Sequence, residues 1–170
     1  MRMVKKYIVV AVLMLCVLQG CKGGYSFTGT SIAPDVETVN IDYINNMAMI
    51  VYPPLSNMLT EALKDKFTRS TRLTLVSYDG DLQFEGEITN YDVTSMGVTA
   101  NEIAATNRLN ITVKIRFTNN KDDKQSYDRS FSQYADFDSA QSLDAVQAQL
   151  VDQIVEKLIE DIFNNAVANW

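Results

Sequence analysis

The sequence predicts an α+β domain: a mostly antiparallel, mixed four-stranded sheet with two helices packed on one face, in the order β-α-β-β-β-α. Three observations carry this prediction. Residues 81–91 (DLQFEGEITNY) and 108–117 (RLNITVKIRF) alternate apolar and polar side chains, the period of strands with one covered and one wet face. Residues 143–164 hold an unbroken apolar stripe at helical spacing, and a shorter amphipathic segment lies between the first strand and those two. Helices and strands that do not strictly alternate form layers of the α+β kind.

The order along the chain begins with a leader. Met1–Lys6 carries Arg2, Lys5 and Lys6 with no acid, and Tyr7–Leu18 is uncharged and mostly apolar. A basic start, a short apolar run and a small residue before a cut predict a cleaved secretory signal peptide over residues 1–20. Twelve residues fall short of the ~20 that span a bilayer as a helix. Leu18-Gln19-Gly20-Cys21 resembles the lipobox of bacterial lipoproteins, which implies cleavage before a lipidated Cys21. Cys16 leaves with the leader, so Cys21 would be the one cysteine of the mature chain and lipidation would account for it. Two or more acyl chains anchor durably where one does not. Residues 21–35 are predicted as lipidated N-terminus and tether, rich in Gly, Ser and Thr, and residues 36–170 as a single domain.

Within the domain, Val39, Ile41 and Tyr43 alternate with Asn40 and Asp42 and predict the first strand. Leu55, Met58, Leu59, Ala62, Leu63 and Phe67 recur at helical spacing after Pro53-Pro54, and proline is tolerated at a helix start. Residues 72–78 extend from that helix to a turn at Asp79-Gly80. Leu82, Phe84, Gly86 and Ile88 face one way along the next strand, as do Leu109, Ile111, Val113, Ile115 and Phe117 along its partner. Between them lies a 94–107 connection, long for a compact domain. The polar loop TNNKDDKQ leads to a further strand with Tyr127 and Phe131 as core members. Ser142 then opens the final helix, whose stripe runs from Leu143 to Phe163. Asp152, Glu156, Lys157, Glu160 and Asp161 interrupt it, and a central Asp or Lys costs ~2.5–3.5 kcal/mol in a membrane, so it belongs on the sheet.

The chain has 15 Lys and Arg against 21 Asp and Glu; without the three basic residues of the leader the formal charge becomes −9. That balance argues against nucleic acid as a partner. Zero histidines remove Ser-His and Cys-His catalysis and, with no spare thiol, the usual zinc ligands. No phosphate-binding glycine loop or nucleophile elbow occurs, and NNKDDKQ lacks the glycine and glutamate of a calcium loop. No catalytic residue, cofactor or metal is expected. Arg108, Lys114 and Arg116 stand out as basic positions on the wet face. They admit two readings: cross-strand pairing of Lys114 or Arg116 with Glu85 or Glu87, or an anion-contacting strip for a phosphorylated ligand.

The order of pieces resembles the LptE family of lipopolysaccharide-assembly lipoproteins, in its Bacteroidetes-type form. The resemblance rests on GYSFTGTSI (24–32), VNIDYINN (39–46), PPLSNMLTEALKDKFTRSTRLTLV (53–76), DLQFEGEITNYDVT (81–94), RLNITVKIRFTN (108–119) and FSQYADFD (131–138), followed by the long helix. It implies a non-enzymatic lipoprotein of the outer membrane, on its periplasmic side, that plugs and helps assemble the LptD β-barrel and assists lipopolysaccharide transport. It also implies lipopolysaccharide contacts at basic positions, here Arg108, Lys114 and Arg116. The alternative is an envelope lipoprotein binding a small lipid or peptide in its own cavity, which would show an apolar pocket between helices and sheet.

Overall fold

The computed structural model describes residues 32–97 and 105–167. The leader, Cys21 and the tether up to residue 31 lie outside the described residues. Six strands form one mixed sheet: β1 (Thr38–Ile41), β2 (Asn45–Asn46), β3 (Thr74–Val76), β4 (Leu82–Met96), β5 (Thr106–Asn119) and β6 (Tyr127–Asp138). Helix α1 (Leu55–Ser70) joins β2 to β3, and α2 (Leu143–Val167) ends the fold. Across the sheet the order is β3-β1-β4-β5-β6, and β2 also pairs with β4. The pairs among β1, β2, β3 and β4 are parallel, whereas β4, β5 and β6 form an antiparallel meander.

The α+β class and the mixed sheet agree with the sequence, but the strand count is six where four are expected. The additional strands are two and three residues long, too short for a period of two to register. The 94–107 connection is also shorter than expected, because β4 runs to Met96 and β5 starts at Thr106. Those added rungs pair through backbone and through Ser95 Oγ, which donates to Asn107 Oδ1 at 3.0 Å. Val93 and Met96 are 41% and 37% exposed there. The hairpin outruns the helices that cover the sheet, so the apolar alternation fades while the ladder continues.

One irregularity sets which residues share a face. A bulge between Ile88 and Asn90 leaves Thr89 without a rung. An extra residue reverses the parity of the strand, so Leu82, Phe84 and Ile88 face the helices before it and Tyr91 after it, all buried. Gly86 sits mid-strand because a Cβ there would lie 2.8 Å from Ile115 Cδ1 and 3.2 Å from Ile44 Cγ1. On β5 the odd-numbered residues Leu109 to Phe117 are buried, and on β6 Phe131, Ala135 and Phe137.

The helices cover this face. Leu55, Leu59, Leu63 and Phe67 of α1 are fully buried, as are Val151, Ile154, Leu158 and Ile162 of α2. Phe67 joins both helices to the sheet, with its ring 5.0 Å from those of Phe84 and Phe163. Proline at 54 caps α1 with helical φ and loses no bond, since its amide would be an orphan there. Neither helix of the described residues is long and apolar enough to cross a membrane.

At the end of the sheet where β1 and β4 begin, Asp81 acts as a clasp. Its Oδ2 accepts the Glu37 and Thr38 amides at 2.9 and 3.0 Å, and Lys121 Nζ lies 3.0 Å from Oδ1. These bonds, the Glu37 amide first and the Lys121 ammonium next, hold the Asp81 carboxyl well below the usual carboxylate range. Gly80 beside it admits no side chain, because a Cβ would stand 2.5 Å from the Asn40 amide nitrogen.

Candidate functional site

Among the described residues, no helix covers the second face of the meander. The even-numbered residues of β5 point there, and β5 register places Arg108 opposite Asp136, Lys114 opposite Glu87 and Ser130, and Arg116 opposite Glu85 and Asp128. The three basic residues therefore share a face, but they do not form one cluster. Arg108 lies six residues from Lys114, about 20 Å along the strand.

Arg108 is pinned. Its Nε and Nη2 donate to the two carboxylate oxygens of Asp136 at 2.7 and 2.9 Å, a bidentate fork. Its guanidinium carbon stacks 3.6 Å from the centroid of the Tyr134 ring. The Arg108 hydrogen bond, against an opposing effect of burial, lowers the Asp136 carboxyl below its ordinary value.

Lys114 and Arg116 are held loosely. Lys114 Nζ stands 3.3 Å from Asp128 Oδ2, and Arg116 reaches Glu85 Oε2 at 3.3 Å and Asp128 Oδ2 at 3.8 Å. Exposed pairs at such lengths contribute ~0–1 kcal/mol. Both residues line a groove of about 580 Å³ with Asp42, Tyr43, Asn45, Asn46, Met47, Glu85, Gly86, Glu87 and Asp128. Four carboxylates against two cations give its walls a formal charge of −2. Asp42 and Glu87 make no ion pair among the described residues.

The pairing reading of the strip thus holds for Arg116 with Glu85, while Lys114 and Arg108 pair with β6 aspartates that the alternation in β4 and β5 does not single out. The signal was present: with Tyr127 and Phe131 in the core, Asp128, Tyr134 and Asp136 fall on the wet face. Met47 of the groove wall carried no such signal, and Tyr43, which alternation sets in one row with the buried Val39 and Ile41, is instead exposed on the groove wall beside Asp42 because β1 ends at Ile41. They reach the groove because β2 pairs with β4 at Glu87 and Ile88.

A second cleft, of about 480 Å³, runs between the outer sides of α1 and α2, lined by Asp65, Lys66, Arg69, Asp152, Glu156 and Glu160 among others. Neither depression is an apolar pocket between helices and sheet, the feature an autonomous small-ligand binder calls for. No group of acids and cysteines capable of holding a metal ion is present among the described residues.

The fold recurs in solved structures. The hypothetical protein CT253 from Chlamydia trachomatis is 9% identical, with a TM-score of 0.54 over 79% of this chain and 99% of that one. Protein XCC0632 from Xanthomonas campestris is 11% identical, with a TM-score of 0.52 over 79% and 87%. A putative neuraminyllactose-binding hemagglutinin homolog from Helicobacter pylori is 11% identical, with a TM-score of 0.51 over 82% and 88%. At such identities the likeness is one of fold. No curated protein matches the chain in sequence. The model of the LptE family, described as lipopolysaccharide-assembly, matches residues 36–166, which spans both helices and the whole sheet. The chain therefore belongs to the LptE family, a non-enzymatic family of envelope lipoproteins that serves lipopolysaccharide assembly and transport.

Proposed function

We propose that the protein is the outer-membrane lipoprotein that plugs the LptD β-barrel, helps it assemble and assists delivery of lipopolysaccharide to the outer leaflet. Family membership over residues 36–166 is the observation that carries this reading. In it, residues 1–20 are removed, Cys21 carries the acyl anchor, residues 21–35 tether the domain, and it works from the periplasmic side. The uncovered sheet face supports a place inside a wet lumen. Its Asn, Thr and Ser side chains, such as Thr112 bonded to Ser132 at 2.9 Å, need no apolar cover.

Lipopolysaccharide would be met through the basic residues of this face. Lys114 and Arg116 are the better placed, because their bonds to Asp128 and Glu85 are long and exposed, so a phosphate exchanges for a carboxylate at little cost. Arg108 would first have to leave a bidentate, stacked site.

Recovery through a C-terminal tag tests the reading. A large outer-membrane barrel is expected at fixed stoichiometry, and depletion of the protein should retain lipopolysaccharide in the inner membrane. Recovery of the tagged protein without any barrel would remove the plug from consideration.

A further inference from the structure

We infer that the groove beside β2 takes an arginine side chain of a partner polypeptide, on Asp42, Glu87 and the ring of Tyr43. Neither the barrel nor lipopolysaccharide is needed for this contact.

The groove carries its unbalanced charge in a definite place. Of its four carboxylates, Glu85 pairs with Arg116, and Asp128 with Lys114 and Arg116. Lys114 stands opposite Glu87 on the ladder, yet its ammonium lies with Asp128 on the strand at its other side. Asp42 and Glu87 are left without an ion pair among the described residues, and Glu87 is half-buried. A carboxylate that has lost part of its water and has no cation beside it gains from an incoming one. The formal −2 of the groove is therefore the charge of these two residues.

A buried donor in the same wall says what kind of cation. Asn46 lines the groove, and its Oδ1 accepts the Ala48 amide at 3.0 Å, which makes Nδ2 the spare end. That Nδ2 is buried and has no hydrogen-bond partner among the described residues, a state that costs free energy until an acceptor arrives. A bare ion would serve the carboxylates and leave this donor unmet. Among the described residues, moreover, no group of acids stands close enough together to hold a metal. A polypeptide brings both complements, a cationic side chain for the acids and a carbonyl oxygen for the amide.

The far end of β5 shows which side chain. There Arg108 forks onto Asp136 and stacks 3.6 Å from the centroid of the Tyr134 ring. Asp42, Glu87 and Tyr43 repeat those parts, carboxylate and aromatic face, without a guanidinium of their own. Tyr43 is 54% exposed, and no cation of the described residues lies over its ring. Lysine would answer the charge alone, whereas the planar guanidinium answers the ring as well. The cleft between α1 and α2 serves as a control within the molecule. It too sets four carboxylates against two cations, but no aromatic residue lines it.

The test uses the full chain as the cell processes it, labelled with nitrogen-15 in detergent micelles. It is titrated with acetylated and amidated Gly-Ser-Arg-Ser-Gly, and with the same peptide carrying lysine or neutral citrulline in place of arginine. NMR shifts are expected at the amides of residues 42–47 and 87 and at the Asn46 side chain. The arginine peptide should bind at least about fivefold tighter than the lysine peptide, and the citrulline peptide should not bind. Asp42→Asn with Glu87→Gln should weaken the arginine peptide at least about tenfold, and Tyr43→Leu by a smaller factor. No shift in the groove at millimolar peptide overturns the inference, as does a citrulline or lysine peptide that binds as well as arginine. Undiminished binding by the Asp42→Asn, Glu87→Gln protein overturns it too. So do shifts as large in the helix cleft as in the groove, because charge alone would then explain them.

Discussion

Strand β5 carries two rows of side chains on one backbone, and they are built for opposite purposes. The odd row, Leu109, Ile111, Val113, Ile115 and Phe117, is sealed beneath the helices at 0–1% exposure. The even row, Arg108, Asn110, Thr112, Lys114 and Arg116, lies open and is satisfied by neighbours across the ladder. Apolar burial has no substitute partner, so a change in the odd row subtracts directly from stability. Long ion pairs in the even row do have substitutes, namely water, salt or a ligand phosphate. A sheet with one face of each kind can therefore hold its shape while exchanging what it touches.

The largest effect should come from the sealed face. Phe67→Ala removes the ring that meets Phe84 and Phe163, and large-to-small changes of this kind cost ~3–5 kcal/mol. Urea denaturation measures it. A loss below ~1 kcal/mol would mean that helices and sheet do not unfold as one unit.

A smaller effect sits at the sheet end, and its pH dependence has a definite sign. Asp81 has its folded-state carboxyl held well below its ordinary value of 3.8, by the Glu37 amide first and then by Lys121. The unfolded chain therefore binds the proton more readily, and stability from the clasp rises with pH. It is complete above the ordinary carboxylate range and is lost as pH falls through the lowered folded value. Asp81→Asn keeps an acceptor for the amides and forfeits the Lys121 pair. It should lower the midpoint at neutral pH by less than Phe67→Ala does, and the difference from the unsubstituted protein should shrink in acid. A difference that stays constant down to strong acid would show that the charge contributes nothing.

Much of this contrast can be read from the residues. Alternation in 108–117 is uninterrupted, so both rows of β5 are legible, and the stripe of α2 follows the helical period from Leu143 to Phe163 and beyond. The bulge at Thr89 is not legible, since one unpaired residue among polar neighbours leaves no mark on composition. Strands of two and three residues escape for the same reason of length. The groove depends on the short strand β2, not on the bulge, which lies beyond its β4 residues. Part of its wall comes from β2 and from the residues beside it, so Lys114, Arg116, Glu85 and Glu87 are legible as facing one another while the place of Asp42 beside them is not.

The smallest effect on stability should come from the open row. Lys114→Gln with Arg116→Gln removes pairs that contribute ~0–1 kcal/mol each, so the denaturation midpoint should barely move. Glutamine is the informative replacement, because glutamate at both positions would gather six carboxylates around one groove and add repulsion to the loss of charge. Arg108→Gln makes the comparison sharper. It leaves Asp136 without its fork and Tyr134 without its stacked cation, so it should lower the midpoint more than the double change does. It should also weaken lipopolysaccharide binding less. The reverse pattern, in which binding depends on Arg108 and is indifferent to Lys114 and Arg116, would move the ligand to the far end of β5, about 20 Å from the groove. The pinned arginine would then be the one that opens.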